Sequence, residues 1–173
     1  MDSEKQQLWP FACGVYEFGD VKGQCLELQD VYGANVDVIL WLAWLHSRRC
    51  FLSKEILPHA LAIVGGVSQD LLKGLRDLRS KLTSSSNFTR VQEQLVRKHI
   101  LAAELAIEKI SLQRLQDLTA CQTPIGSALD ALNLFDYLDS LGLQEADEIA
   151  ADLLAASRGY WLMQEDEQAV IEA

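Results

Sequence analysis

The sequence has little of what most catalytic classes need. It holds three histidines, at 46, 59 and 99, and none has a glutamate three residues earlier, so the Glu-x-x-His pairs of a di-iron helical bundle are missing. Its four cysteines, at 13, 25, 50 and 121, form no C-x-x-C pair, which removes zinc-finger and thioredoxin-like readings. They read instead as buried thiols packed as small hydrophobes. No G-x-S-x-G elbow, Walker loop or G-x-G-x-x-G fingerprint occurs, and Gly65-Gly66-Val67-Ser68 lacks the lysine of a phosphate loop. Asp30, Asp37, Asp136 and Asp139 are not spaced as the two matched clusters that a magnesium-diphosphate site needs. The longest apolar run, Val38 to Leu45, is far short of the ~20 residues of a membrane-spanning helix. Met1 to Pro10 matches neither a secretory signal nor a transit peptide, so a cytoplasmic location is expected. No cofactor and no metal is expected, and the reading leans away from an enzyme.

What is present is an ordinary globular composition, 49% hydrophobic and 23% charged over 173 residues, long enough to bury a core without disulfides. The apolar periodicity is helical nearly throughout, which predicts an all-α fold, a multi-helix bundle of about six or seven helices around a long central helical hairpin. A first short helix is expected over about Leu8 to Phe18, and a second from the N-cap Asp20 to Tyr32, ended by Gly33. Asn35 is expected to cap a third, Val36 to Cys50, apolar almost all round and therefore enclosed. A fourth follows Pro58 to about Leu82 and is weakened or kinked at Gly65-Gly66. Thr83 to Asn87 reads as a linker, and Thr89-x-x-Gln92 as a capping box opening the longest helix, to about Thr119. Thr123-Pro124 is expected to start a helix that stops at Gly142. A last one should run from Gln144 to Arg158, with residues after Gln164 as a frayed acidic tail. The expected organisation is a single helical domain, 1–173. It comprises N-terminal helices with core Trp and Cys (1–52), a basic hairpin (53–120), acidic C-terminal helices (121–164) and the tail (165–173).

Charge is partitioned along the chain. The total is −10, which argues against nucleic-acid binding through global charge. By segment, residues 1–45 carry −5, residues 46–115 carry +6 and residues 116–173 carry −11. Lys73, Arg76 and Arg79 recur every third residue on the fourth helix, and Arg97 lies on the fifth. These residues could meet an acidic partner or the protein's own acidic C-terminal helices, and a nucleic-acid backbone stays open for the hairpin alone. Glu104 and Glu108, four apart, read as a solvated or salt-bridged face. Asp37 begins an otherwise apolar helix, where it could accept backbone N–H groups or reach a buried cation. Trp41 and Trp44 read as core packing, with an apolar pocket between the first three helices as the alternative.

The order Trp9-x-Phe11-Ala12, Cys25-Leu26-x-Leu28-Gln29, Gly33 and Asn35-Val36-Asp37 resembles an uncharacterised family of small cytoplasmic bacterial proteins, a domain of unknown function. Leu75-Arg76-x-Leu78-Arg79, the stretch Arg97 to Leu105 and Asn133-Leu134-x-x-Tyr137-Leu138 are similar to that family's later elements. Where the family reads Asp-Val-Asn, this chain reads Asn35-Val36-Asp37, so the carboxylate sits elsewhere. The resemblance implies a helical fold and no activity. The function expected is therefore non-catalytic: binding of another macromolecule, a protein partner or a second copy of the chain, through the basic hairpin or an apolar face. The candidate residues are Asp37, Trp41, Trp44, Lys73, Arg76, Arg79 and Arg97. The alternative is an enzyme or carrier holding a small apolar or phosphorylated ligand between the N-terminal helices and the basic fourth helix.

Overall fold

The computed structural model describes residues 7–83, 87–125 and 131–171, with side chains omitted at 67 and from 165 on. Eight α-helices follow one another there: α1 Leu8–Tyr16, α2 Val21–Tyr32, α3 Val36–Ser47, α4 Leu57–Val64, α5 Val67–Thr83, α6 Arg90–Ala120, α7 Leu134–Ser140 and α8 Ala146–Ile171. A 3-10 turn at Lys54–Ile56 precedes α4. The fold is all-α; its one β feature among the described residues is an isolated bridge between Ser53 and Ala131.

The centre is α3. Every residue from Val38 to Leu45 is buried, as a helix apolar on all sides requires. Around it pack α1, α2, α4, α6, α7 and α8. Asn35 caps α3 as expected, its Oδ1 accepting from the Val38 N–H at 3.2 Å. Two polar bonds tie the core together over long sequence distances. The Trp41 indole donates to Thr119 Oγ1 at 2.9 Å, and the Asn35 N–H donates to the Tyr137 hydroxyl at 2.8 Å. Each satisfies a group that would be costly to bury alone. At the crossing of α1 and α8, the outer end of the Tyr160 ring fills the space a side chain at Gly14 would take, so a Cβ there would force that ring to shift.

Several boundaries differ from the expectations. Asp20 occupies the N-cap position of α2 but makes no side-chain capping bond. The Gly65-Gly66 pair breaks the fourth helix completely, since Gly66 turns the chain at φ +60°, a conformation that β-carbon-bearing residues resist. The helix expected from Thr123-Pro124 does not begin there. Thr123–Ile125 is not helical, the Ile125 N–H bonding Phe51 O and the Leu132 N–H bonding Leu52 O, and Asn133 is the N-cap that starts α7. The last helix does not stop at Arg158. It runs through Gly159, which packs against Phe18, and continues to Ile171. Of the cysteines only Cys25 is buried, whereas Cys13 and Cys121 are exposed and Cys50 is in between. The expected Thr83 to Asn87 linker falls partly outside the described residues.

Candidate functional site: the projecting hairpin and its polar root

The capping box at Thr89 forms as expected, with the Thr89 side chain accepting from the Gln92 N–H and the Gln92 side chain accepting from the Thr89 N–H. It starts a 31-residue helix, about 46 Å long, that outruns the body. The inner end of α6 is held by α1, α3 and α4, while α5 lies antiparallel along it. Beyond the root the two helices stand as an arm. No residue from Arg90 to Ala103 is buried.

At the root, α5 and α6 are pinned by ion pairs. Arg76 reaches Glu108 at 3.1 Å and donates to Gln29 of α2 at 3.4 Å. Arg79 Nε lies 3.2 Å from Oε1 of the buried Glu104, close enough for attraction but without hydrogen-bond alignment. Asp37 of α3 faces the same root, keeps partial access to solvent and has no hydrogen-bond partner among the described residues. Burial pushes its carboxyl up to about 7, the Glu108 carboxylate adds to the rise, and Arg76 opposes it. Burial likewise raises Glu108 from its ordinary value, against the pull of Arg76. The neighbouring charges add to the effect of burial at Asp37: the two guanidiniums are matched by Glu104 and Glu108, leaving the Asp37 carboxyl in surplus. Capping of α3 falls to Asn35, so the Asp37 carboxylate gains nothing from that role.

The candidate residues therefore divide. Asp37, Arg76 and Arg79 come together at the root, and the compensation of the two arginines comes from α6 rather than from the acidic C-terminal helices. Arg97 lies farther out and donates to Thr83 Oγ1 at 3.0 Å, and Lys73 is exposed. Trp41 and Trp44 are core, 0% and 2% exposed, with the Arg48 guanidinium 4.6 Å from the centre of the Trp44 ring. An open groove of about 630 Å³ lies elsewhere, between α4 and the inner end of α6, and its lining includes His59, Ile63, Gly66, Ser68, Arg114 and Leu118. Asp37, Trp41 and Arg76 do not line it. Among the described residues no group of three or more His, Cys, Asp or Glu is placed to hold a metal ion, and no helix is long and apolar enough to cross a membrane.

The residues that the sequence reading passed over lie on the outer face of α6. Val91, Leu95, Lys98, Ala102, Leu105 and Lys109 follow a 4-3-4-3-4 spacing, the seam of a helix that packs on another helix. At the root α1 covers that stripe: the Leu8 N–H donates to Gln116 Oε1 at 2.7 Å, and Lys109 Nζ lies 5.8 Å from the centre of the Trp9 ring. Farther out the stripe continues bare. Val91 is 76% exposed, Leu95 58% and Leu105 53%. The 4-3 spacing was the signal in the sequence, masked by a second, ion-paired face on the same helix.

The family model described as "protein of unknown function" (DUF2390) matches residues 7–115, which takes in α1 to α5 and all but the last residues of α6. No curated protein and no solved structure matches the chain. The chain belongs to the DUF2390 family, whose function is unknown.

Proposed function

We propose that this protein is a non-catalytic docking module that engages a protein partner by laying the outer stripe of α6 against a helix of that partner. One observation carries the reading: the stripe that α1 covers beside Lys109 and Gln116 runs on uncovered from Leu105 to Val91. A helix pair with nothing on its flank leaves apolar area in water that a partner's helix can bury. The arm's charge fits an acidic protein surface better than a nucleic-acid backbone, because Arg76 and Arg79 are already matched by Glu108 and Glu104. Arg90 and Lys98 remain exposed on the arm, and Lys73 is exposed inward of the root.

The experiment compares wild-type protein with Leu95→Glu in extract of the producing cell, using size-exclusion chromatography with antibody detection. Wild type should elute well above the 19.3 kDa of one chain and the variant at it. Elution of both at the size of one chain, or of both in the same complex, would contradict the reading.

A further inference from the structure

We infer that the partner is a second copy of this chain, whose α8 lies on the uncovered stripe of α6, two copies clasping each other reciprocally. This rests on the docking reading above and adds the identity of the occupant.

The inner face of α8 is buried at Ala150, Leu153 and Ser157, and that face packs on the body. Its outer face presents Ala151, Ala155, Arg158 and Leu162, all exposed, at 4-3-4 spacing. Exposed Asp147, Glu148 and Asp152 lie at one end of it. The two stripes are complementary in shape. Val91, Leu95 and Leu105 project as knobs, whereas Ala151 and Ala155 leave the α8 backbone open to close approach. Their lengths correspond, about 21 Å from Val91 to Leu105 and about 17 Å from Ala151 to Leu162 at 1.5 Å per residue.

They are also complementary in charge. The α6 stripe carries Lys98, with Arg90 beside its outer end, and no acid. The acids of α6 lie off it: Glu104 is buried, Glu108 is tied to Arg76, Glu93 is partly shielded on the α5 side, and Asp117 lies at the inner end, where the Gln113 amide donates to it. Pairing α6 with α6 of another copy would set like charges together, while the exposed side of α8 offers three acids, Asp147, Glu148 and Asp152, against one cation, Arg158. Within one chain the stripe stays exposed, so the α8 that covers it belongs to a different molecule. A contact between two different surfaces closes as a pair when each copy gives its α6 and receives on its α8, and the contact is then made twice.

The test is light scattering on the purified full chain between about 1 and about 200 µM, at low and high salt. The expected mass at low salt is that of two chains, with dissociation at least tenfold easier at high salt. Leu95→Glu, and separately Asp147→Lys with Glu148→Lys, should each weaken pairing at least tenfold with an unchanged helical circular dichroism spectrum, since all these side chains are exposed. With the outer end of the α6 stripe set beside the start of α8, Arg90→Glu should also weaken pairing, and adding the two α8 reversals to Arg90→Glu should restore it. A single-chain mass throughout would overturn the inference. So would a pair that the α8 reversals leave intact, the mark of an α6–α6 contact. If the purified chain stays single while the complex in extract still depends on Leu95, this inference fails and the docking reading stands.

Discussion

In the body, α3 buries eight consecutive residues, from Val38 to Leu45, and the bonds from Trp41 to Thr119 and from Asn35 to Tyr137 stitch distant segments to it. In the arm, fourteen consecutive residues of α6, from Arg90 to Ala103, bury none; Leu82 of α5 is buried there, and the rest of the order comes from a capping box, helix length, the Arg97–Thr83 hydrogen bond and the ion pairs at the root. Burial of apolar area is the dominant stabilising term in a fold, whereas ion pairs with solvent access contribute little. The body can therefore be explained by its own stability. The arm cannot: it leaves Val91, Leu95 and Leu105 in water, which points to a role outside the chain.

The sharpest way to break this contrast is to cut equivalent side chains in the two regions. Trp41→Ala should cost about 3–5 kcal/mol in urea unfolding, because it empties a fully enclosed site and leaves the Thr119 hydroxyl without its indole donor. A cost below about 1 kcal/mol would show that the body is not the stabilising unit. Next in size is the α1–α8 crossing. Gly14→Ala sets a methyl group against the Tyr160 ring and should cost about 1–3 kcal/mol by the same measurement; an unchanged midpoint would mean the crossing is loose.

The root between the two regions gives a pH-dependent prediction. Asp37 has a folded-state pKa of about 7, above its ordinary 3.8, so the folded chain holds that proton longer than the unfolded chain. Its contribution to stability is complete below the ordinary value and is lost as pH rises through the folded one. Asp37→Asn should therefore be more stable than wild type at pH 8 by about 1–2 kcal/mol, a figure reduced for the partial solvent access of the group, and about equal to it near pH 4. A variant less stable at pH 8 would show that the ionised carboxylate is favoured there. In the arm itself, Thr89→Ala removes the capping box and should lower the free energy of local opening by about 1 kcal/mol, read as faster hydrogen exchange in the first turns of α6. The smallest effect belongs to Leu95→Ala, within about 0.5 kcal/mol, because that side chain has nothing to lose in the isolated chain. A larger loss would place it in a contact within the chain.

Much of the body, and the start of the arm, was legible because the signals are local. Asn35 before an all-apolar run, Gly33 after Tyr32, and Thr89 three residues before Gln92 each act within one helical turn. The misreadings came where tertiary contacts overrode local chemistry. Thr123-Pro124 looks like a helix start, yet Ile125 and Leu132 bond to the backbone of Phe51 and Leu52. Gly159 looks like a stop, yet Phe18 packs on it and α8 continues. The candidate site was half visible. Arg76 and Arg79 could be picked out by spacing, but their matching to Glu108 and Glu104 depends on the register of two antiparallel helices, which composition does not encode. The bare stripe was present as spacing in α6, and its being uncovered depends on where α1 ends against it.

The central claim, that the outer stripe of α6 is a docking surface, is tested most directly by placing a photo-crosslinking residue in turn at positions 91, 95, 102 and 105 in the producing cell, with position 117 on the inner end of α6 as the control. Crosslinks to protein at the four stripe positions and none at 117 are expected. Equal crosslinking at all five positions, or none at the stripe, would contradict the account.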